Sequence, residues 1–179
     1  MPELPEVETV KRGIENLLDF PAGIASVKSS SKNLRFPYPK GLKRKLEGLA
    51  IRSVSRRAKY LIFDLGEESL ICHLGMTGHW RQGSDFDPKR HDHLLLNLAS
   101  GVSLIYNDVR RFGYIDLIPS HSMNQSKWFK KLGPEPFESK GLTMSWLASC
   151  MNGRIAPVKA LIMNQAIVVG VGNIYASEA

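Results

Sequence analysis

Five short apolar runs limit most tightly what this chain can fold into. They are KYLIFDL (59–65), SLICHLG (69–75), HLLLNLA (93–99), VSLIYND (102–108) and GYIDLIP (113–119). Each is strand-sized and bounded by turn-forming residues. Gly66-Glu67-Glu68 separates the first two, and Ser100-Gly101 makes a hairpin turn between the third and fourth. Strands in such close succession, with no helices alternating between them, predict antiparallel sheets packed as a sandwich or barrel rather than βαβ units.

The segments flanking these strands are helical. Val7, Val10, Ile14, Leu17 and Leu18 recur at helical spacing, predicting an amphipathic helix over residues 5–18. Pro5 suits its first turn, and Glu6 and Glu8 suit the positive end of its dipole. That helix leaves Pro2 and Glu3 unexplained. Downstream, LGPEPFE (132–138) breaks regular structure. LTMSWLASCM and PVKALIMNQ then read as helices, the second with Pro157 in its first turn. GVGNIYASEA begins one more helix, with Asn173 as N-cap, and stops after a turn or two. The expected class is α+β, with two parts. Residues 1–132 form an antiparallel two-sheet β-sandwich flanked by the N-terminal helix. Residues 133–179 form a linker and the truncated start of a helical domain.

Net charge narrows the partners. Lys and Arg outnumber Asp and Glu by 24 to 17, giving +7 at pH 7, and such an excess favours polyanions through counterion release. The acidic N-terminus stands against that background, where a carboxylate cluster suits chemistry better than backbone binding. Cys72 and Cys150 are the only two cysteines; they are expected to be free buried thiols, and a four-cysteine zinc site is excluded. No apolar run reaches membrane-spanning length and the N-terminus has no secretory pattern, so a cytoplasmic protein without membrane contact is expected.

Several constellations can carry chemistry. Release of Met1 would leave Pro2 as a secondary amine. With an α-amino pKa of about 8 against about 10.4 for lysine, such a group is a better neutral-pH nucleophile than a lysine side chain. It can form a Schiff base with an electrophilic carbon, with Glu3 beside it to move protons. Arg56, Arg57 and Lys59 precede a strand, with Lys59 entering at its wet end, as a solvated basic edge or as phosphate contacts and a proton donor. Met76 in HLGMTG (73–78) and Phe112 in NDVRRFG (107–113) sit beside glycines in turn-like segments, with Arg110 and Arg111 alongside. Apolar wedges of this kind enter a base stack, and an enzyme that extrudes a base needs one. The backbone N–H groups of Gly172 and Asn173 could hold an anion such as a DNA phosphate. His91 and His93 lie two apart, with too few neighbours for a metal site; His91 suits a phosphate contact.

Taken together, PELPEVET, RRAKYLIF, HLGMTG, KRHDH, NDVRRFG, LGPEP and VVGVGNIYASEA resemble bacterial formamidopyrimidine-DNA glycosylases, co-linearly along the whole chain. The resemblance implies a bifunctional repair enzyme that excises oxidised purines (8-oxoguanine and formamidopyrimidines) from double-stranded DNA and nicks abasic sites by β,δ-elimination. It implies that Pro2 attacks C1′, that Glu3 is the proton donor of the glycosylase step, and that Lys59 is the donor in β-elimination. Glu6 is an acid grouped with them. His91, Arg110 and Arg154 fall at DNA-contact positions. Met76, Arg110 and Phe112 match a void-filling wedge, and His73, Lys159 and Asn173 match residues near the lesion or its phosphates. The helical part would open a helix–two-turns–helix domain. Members of that family continue into a zinc finger that carries their one structural zinc, so no cofactor is expected in this chain, and DNA binding and nicking are expected to be weakened. A monomer in the bacterial cytoplasm, associated with the nucleoid, is implied. The alternative is a catalytically inactive fragment that binds damaged DNA.

Overall fold

The computed structural model describes residues 1–137 and 141–179; Glu138, at the end of the breaker-rich stretch, lies outside them. Two antiparallel sheets face each other. One contains β1 (Ala22–Ser29), β2 (Ala50–Ile51), β6 (His79–Gln82), β7 (Asp92–Leu98) and β8 (Ser103–Asn107), in the order β2-β1-β7-β8-β6. The other contains β3 (Ser53–Arg57), β4 (Tyr60–Asp64), β5 (Glu68–His73) and β9 (Tyr114–Pro119), in the order β3-β4-β5-β9. The five apolar runs are β4, β5, β7, β8 and β9. Ser100-Gly101 does turn the hairpin, with Gly101 at φ 88° and the Leu98 N–H donating to the Val102 carbonyl at 2.8 Å.

Sequence periodicity does not reach β1, β2, β3 or β6. β1 buries Ala22, Ile24 and Val27, but a register shift between Ile24 and Ser26 breaks its alternation; β2 buries only Ile51 and β3 only Val54, while β6 packs Trp80 against the core without burying it fully. Neighbouring strands, rather than their own pattern, hold them extended. The unbroken apolar runs of β4 and β5 have the opposite cause, because both faces of their sheet are covered. Leu61, Phe63, Leu70 and Cys72 enter the core between the sheets. Ile62 and Ile71 point the other way, under Phe129 with Met123, Trp128 and Leu132. Burying each of those isoleucines is worth about 1.5–3 kcal/mol.

Helix α1 (Leu4–Leu17) packs against β3, β4 and β6 and sends Val7 and Ile14 into the core. Its start is fixed by Glu6, whose carboxylate accepts from the Glu3 N–H at 2.9 Å. On its outer face Glu8 pairs with Lys11, Arg12 and Arg56. The short α2 (Leu42–Leu46) lies on β1. Beyond the sandwich come α3 (Met144–Met151), α4 (Val158–Ile162) and α5 (Tyr175–Glu178). Thr143 caps α3 by accepting from the Trp146 N–H.

Three sequence expectations change here. Pro157 is the N-cap of α4 rather than part of its first turn. Ile174, not Asn173, is the N-cap of α5, because the N–H groups that an asparagine cap would serve are taken, that of Tyr175 by the distant Glu3 carboxylate and that of Ala176 by the Gly172 carbonyl. Cys72 is buried as expected, whereas Cys150 is only half-buried on α3. Among the described residues no helix is long and apolar enough to cross a membrane.

Candidate active site and nucleic-acid interface

Residues 170–172 receive two of the candidate catalytic side chains, Glu3 and Lys59. The Leu4 N–H donates to the Gly170 carbonyl at 3.0 Å, docking the N-terminus on this loop. Glu3, only 2 % exposed, accepts from the backbone N–H groups of Gly172 at 2.6 Å, Ile174 at 2.8 Å and Tyr175 at 3.4 Å. The Lys59 ammonium donates to the Val171 carbonyl at 2.9 Å. The two glycines exist for this approach: a Cβ on Gly170 would stand 2.5 Å from Leu4 Cβ, and one on Gly172 2.5 Å from Glu3 Cδ. The Gly172 N–H therefore binds Glu3, and the expectation that it serves a phosphate is corrected. Half-buried Pro2 precedes Glu3, and Glu6 accepts from the Tyr175 hydroxyl at 3.3 Å. Gln165 braces the loop: its Oε1 accepts from the Gly170 N–H and its Nε2 donates to the Val171 carbonyl, both at 2.8 Å.

Lys59 does not stand at a wet strand end. It is 6 % exposed, in the turn between β3 and β4, after Ala58 at φ 53°. Burial holds its ammonium below the ordinary lysine range, against the attraction of Glu3 and Glu6. Arg56 and Arg57 lie within β3 and are not free for phosphate. Both meet Glu135, at 2.8 and 2.7 Å, and the same carboxylate accepts from the Ala58 N–H at 2.6 Å. Burial pushes the Glu135 carboxyl up, but that N–H and the two guanidiniums outweigh it and hold the group below the usual carboxylate range. Glu135 comes from LGPEP, read from sequence only as a break. Its neighbours are pinned as well, Gly133 N–H to the Gln165 carbonyl and Val169 N–H to the Pro134 carbonyl. A lone acid between two prolines, opposite a run of two arginines, was the available signal.

The wedge candidates occupy two adjoining loops. Met76 is 39 % and Phe112 44 % exposed, so neither is a core residue. The Arg110 guanidinium lies 4.7 Å from the Phe112 ring centre. Arg110, Arg111 and Phe112 face Asn33, Leu34 and Arg35 across an open groove of about 600 Å³. His73 closes β5 with its ring stacked on Tyr114, the planes 4° apart, and its Nδ1 accepting from the Gly75 N–H at 3.1 Å. Burial, aided by Lys59 and Arg35, pushes its pKa down to about 4, so the ring is neutral near pH 7.

The remaining candidates are more dispersed. His91 closes a 3-10 turn before β7 at φ 69°, its carbonyl accepting from the Asp108 N–H. It shares no strand face with His93, which is fully buried between Ser30 Oγ and the Asp108 carbonyl. Lys159 on α4 donates to Ser177 Oγ at 2.8 Å, and the exposed Asn173 accepts from the same hydroxyl through its carbonyl at 2.7 Å. Arg154 is exposed between α3 and α4. Among the described residues no three His, Cys, Asp or Glu side chains gather as a metal site. Cys72, its thiol pushed up by burial in the core, and the half-buried Cys150 are both free thiols.

Comparison with known proteins identifies the family. Residues 1–115 match the family described as formamidopyrimidine-DNA glycosylase N-terminal domain. The formamidopyrimidine-DNA glycosylase of Novosphingobium aromaticivorans is 44% identical over 180 residues, covering 100% of this chain and 66% of that protein. That of Methylobacterium radiotolerans is 40% identical over 195 residues, covering 100% and 65%. The chain thus spans just under two thirds of the length of these relatives. A crystal structure of the Lactococcus lactis enzyme, non-covalently bound to DNA containing an AP site, superimposes with a TM-score of 0.88 at 36% identity, over 98% of this chain and 67% of that one. Its complex with DNA containing FAPY-dG gives 0.87 at 36% identity, over 98% and 66%. In sequence and in fold, this chain belongs to the formamidopyrimidine-DNA glycosylase family.

Proposed function

We propose that this chain carries the catalytic part of a bifunctional DNA glycosylase and AP lyase acting on oxidised purines in double-stranded DNA. The observation that carries the reading is the meeting of Glu3 and Lys59 on residues 170–172, with Pro2 next to Glu3 in the chain. The relatives solved with AP-site and FAPY-dG DNA support the substrate class.

Once Met1 is removed, the Pro2 nitrogen lone pair attacks C1′ of the extruded nucleotide. The glycosidic bond breaks with its electron pair leaving on the base, and Glu3, held by three backbone N–H groups, supplies the proton of this step. The Pro2 nitrogen then gives up its proton, which passes to O4′ as the C1′–O4′ bond breaks and the sugar opens; the resulting iminium acidifies the 2′ hydrogen. Its loss expels the 3′ phosphate, with the neighbouring ammonium of Lys59 donating in this β-elimination; a second elimination releases the 5′ phosphate. Glu6 borders this group. Met76, Arg110 and Phe112 fill the vacated stack, His91 and Arg154 contact DNA with Arg110, and His73, Lys159 and Asn173 lie near the lesion or its phosphates. Residues 1–132 form the catalytic sandwich and 133–179 the linker and first part of the helical domain. The protein works as a cytoplasmic, nucleoid-associated monomer, and no step in this chain uses a metal.

Borohydride trapping on a duplex with one oxidised guanine tests the reading. A covalent adduct is expected with the wild type and none with Pro2→Gly. An adduct undiminished in that variant moves the nucleophile elsewhere. Binding without any adduct makes the chain a damaged-DNA-binding fragment. Intact mass of the N-terminus is expected to show Met1 absent.

A further inference from the structure

We propose that Asp108 is a positioning residue that locks the loops carrying Met76 and Phe112 into one wedge, so that extrusion of a base from duplex depends on it. The proposal rests on the wedge assignment above.

Asp108 is fully buried, and among the described residues no cation pairs with it. Its partners are instead the two loops. Oδ1 accepts from the Thr77 hydroxyl at 2.5 Å, next to Met76. Oδ2 accepts from the Gly113 N–H at 2.8 Å, next to Phe112. Thr77 Oγ1 in turn accepts from the Arg110 N–H at 3.1 Å, which closes a ring of hydrogen bonds around the wedge. The Asp108 backbone ties this ring to the sheet, its N–H donating to the His91 carbonyl and its carbonyl facing His93 Nε2 at 2.9 Å.

Close backbone approach completes the lock. A Cβ on Gly75 would lie 2.3 Å from the Gly113 nitrogen, so the loops touch without a side chain between them. A Cβ on Gly113 would strike the Tyr106 hydroxyl, which sits 3.5 Å from Asp108 Oδ2 and 3.4 Å from the His73 carbonyl. An apolar side chain at position 108 could fill the same space. Only an acceptor with two oxygens can take a hydroxyl from one loop and an amide from the other. A buried carboxylate without a cation is costly to keep, and here its hydrogen bonds serve the geometry of exposed residues rather than the core. Side chains that enter a base stack must arrive in a fixed relative position.

The test uses T77V and D108N against the wild type, with melting temperature checked for each; T77V, at a half-buried position, carries the test if D108N fails to fold. Single-turnover excision is measured on a duplex with a paired oxidised guanine and on the same lesion in a preformed bubble, where nothing need be displaced. A second duplex carries 2-aminopurine opposite a stable abasic analogue, whose fluorescence rises when the stack is opened. Excision from the paired duplex is expected to fall roughly ten- to hundredfold, with the bubble processed as before and the fluorescence rise lost. Wild-type behaviour on the paired duplex, or an equal fall on both substrates, overturns the proposal. So does a wild type that produces no fluorescence rise. A wild-type rise that T77V abolishes, with no excision or trapping by any form, supports the lock and overturns the catalytic reading instead.

Discussion

Gly172 and Glu3 meet atom to atom, leaving no room for even one methyl group. A Cβ at 2.5 Å from the carboxylate carbon cannot be absorbed, so Gly172→Ala is expected to push Glu3 off its three N–H donors. Trapping and excision should fall roughly a hundredfold, with far-UV circular dichroism unchanged. His73 offers a prediction of another kind. Its folded pKa of about 4 lies below its ordinary 6.5. Above pH 6.5 the ring is neutral folded or unfolded. As pH falls from 6.5 towards 4 only the unfolded chain takes up the proton, and stability drops by about 3 kcal/mol at most. Urea midpoints measured between pH 7 and pH 4.5 should decline, and His73→Gln should flatten that decline.

The turn between β3 and β4 is the element on which the placement of Lys59 depends. Ala58 adopts a left-handed backbone that only surroundings can maintain, and Glu135 supplies them from beyond the sandwich. Removing one partner of a buried ion group leaves the other charges uncompensated. Glu135→Met is expected to cost about 3 kcal/mol in urea unfolding, and less when Arg57 is also replaced by Met. The strands on either side differ in how readable they were. β4 announced itself through Leu61, Ile62 and Phe63 in succession, because both faces of its sheet are covered. β3 gave no such signal, since Val54 is its only fully buried side chain and its arginines serve a carboxylate from the distant LGPEP stretch.

Across the whole molecule, the net charge of +7 acts through cations that remain exposed. Arg110 and Arg111 line the groove beside the wedge, whereas Arg56 and Arg57 are committed internally. Duplex affinity should therefore fall linearly in log K against log salt, with a slope of about −3 to −5, and Arg110→Ala should reduce that slope by about one. Fluorescence anisotropy titrations between low and physiological salt measure it.

Local pattern determined a good deal: the first helix, five strands, the sandwich class, and a proline–glutamate start that the helix left unexplained. These follow from apolar period and turn chemistry, which act within a few residues. The tertiary structure decided the rest. It chose Glu3 over a phosphate as the anion at Gly172, across 169 residues of chain. It buried Lys59 instead of leaving it wet, drew Arg56 and Arg57 onto Glu135, and set Asp108 between two loops. A hydrogen-bond donor or a charge is satisfied by whichever group meets it in space, and that meeting is fixed by the packing of the sheets.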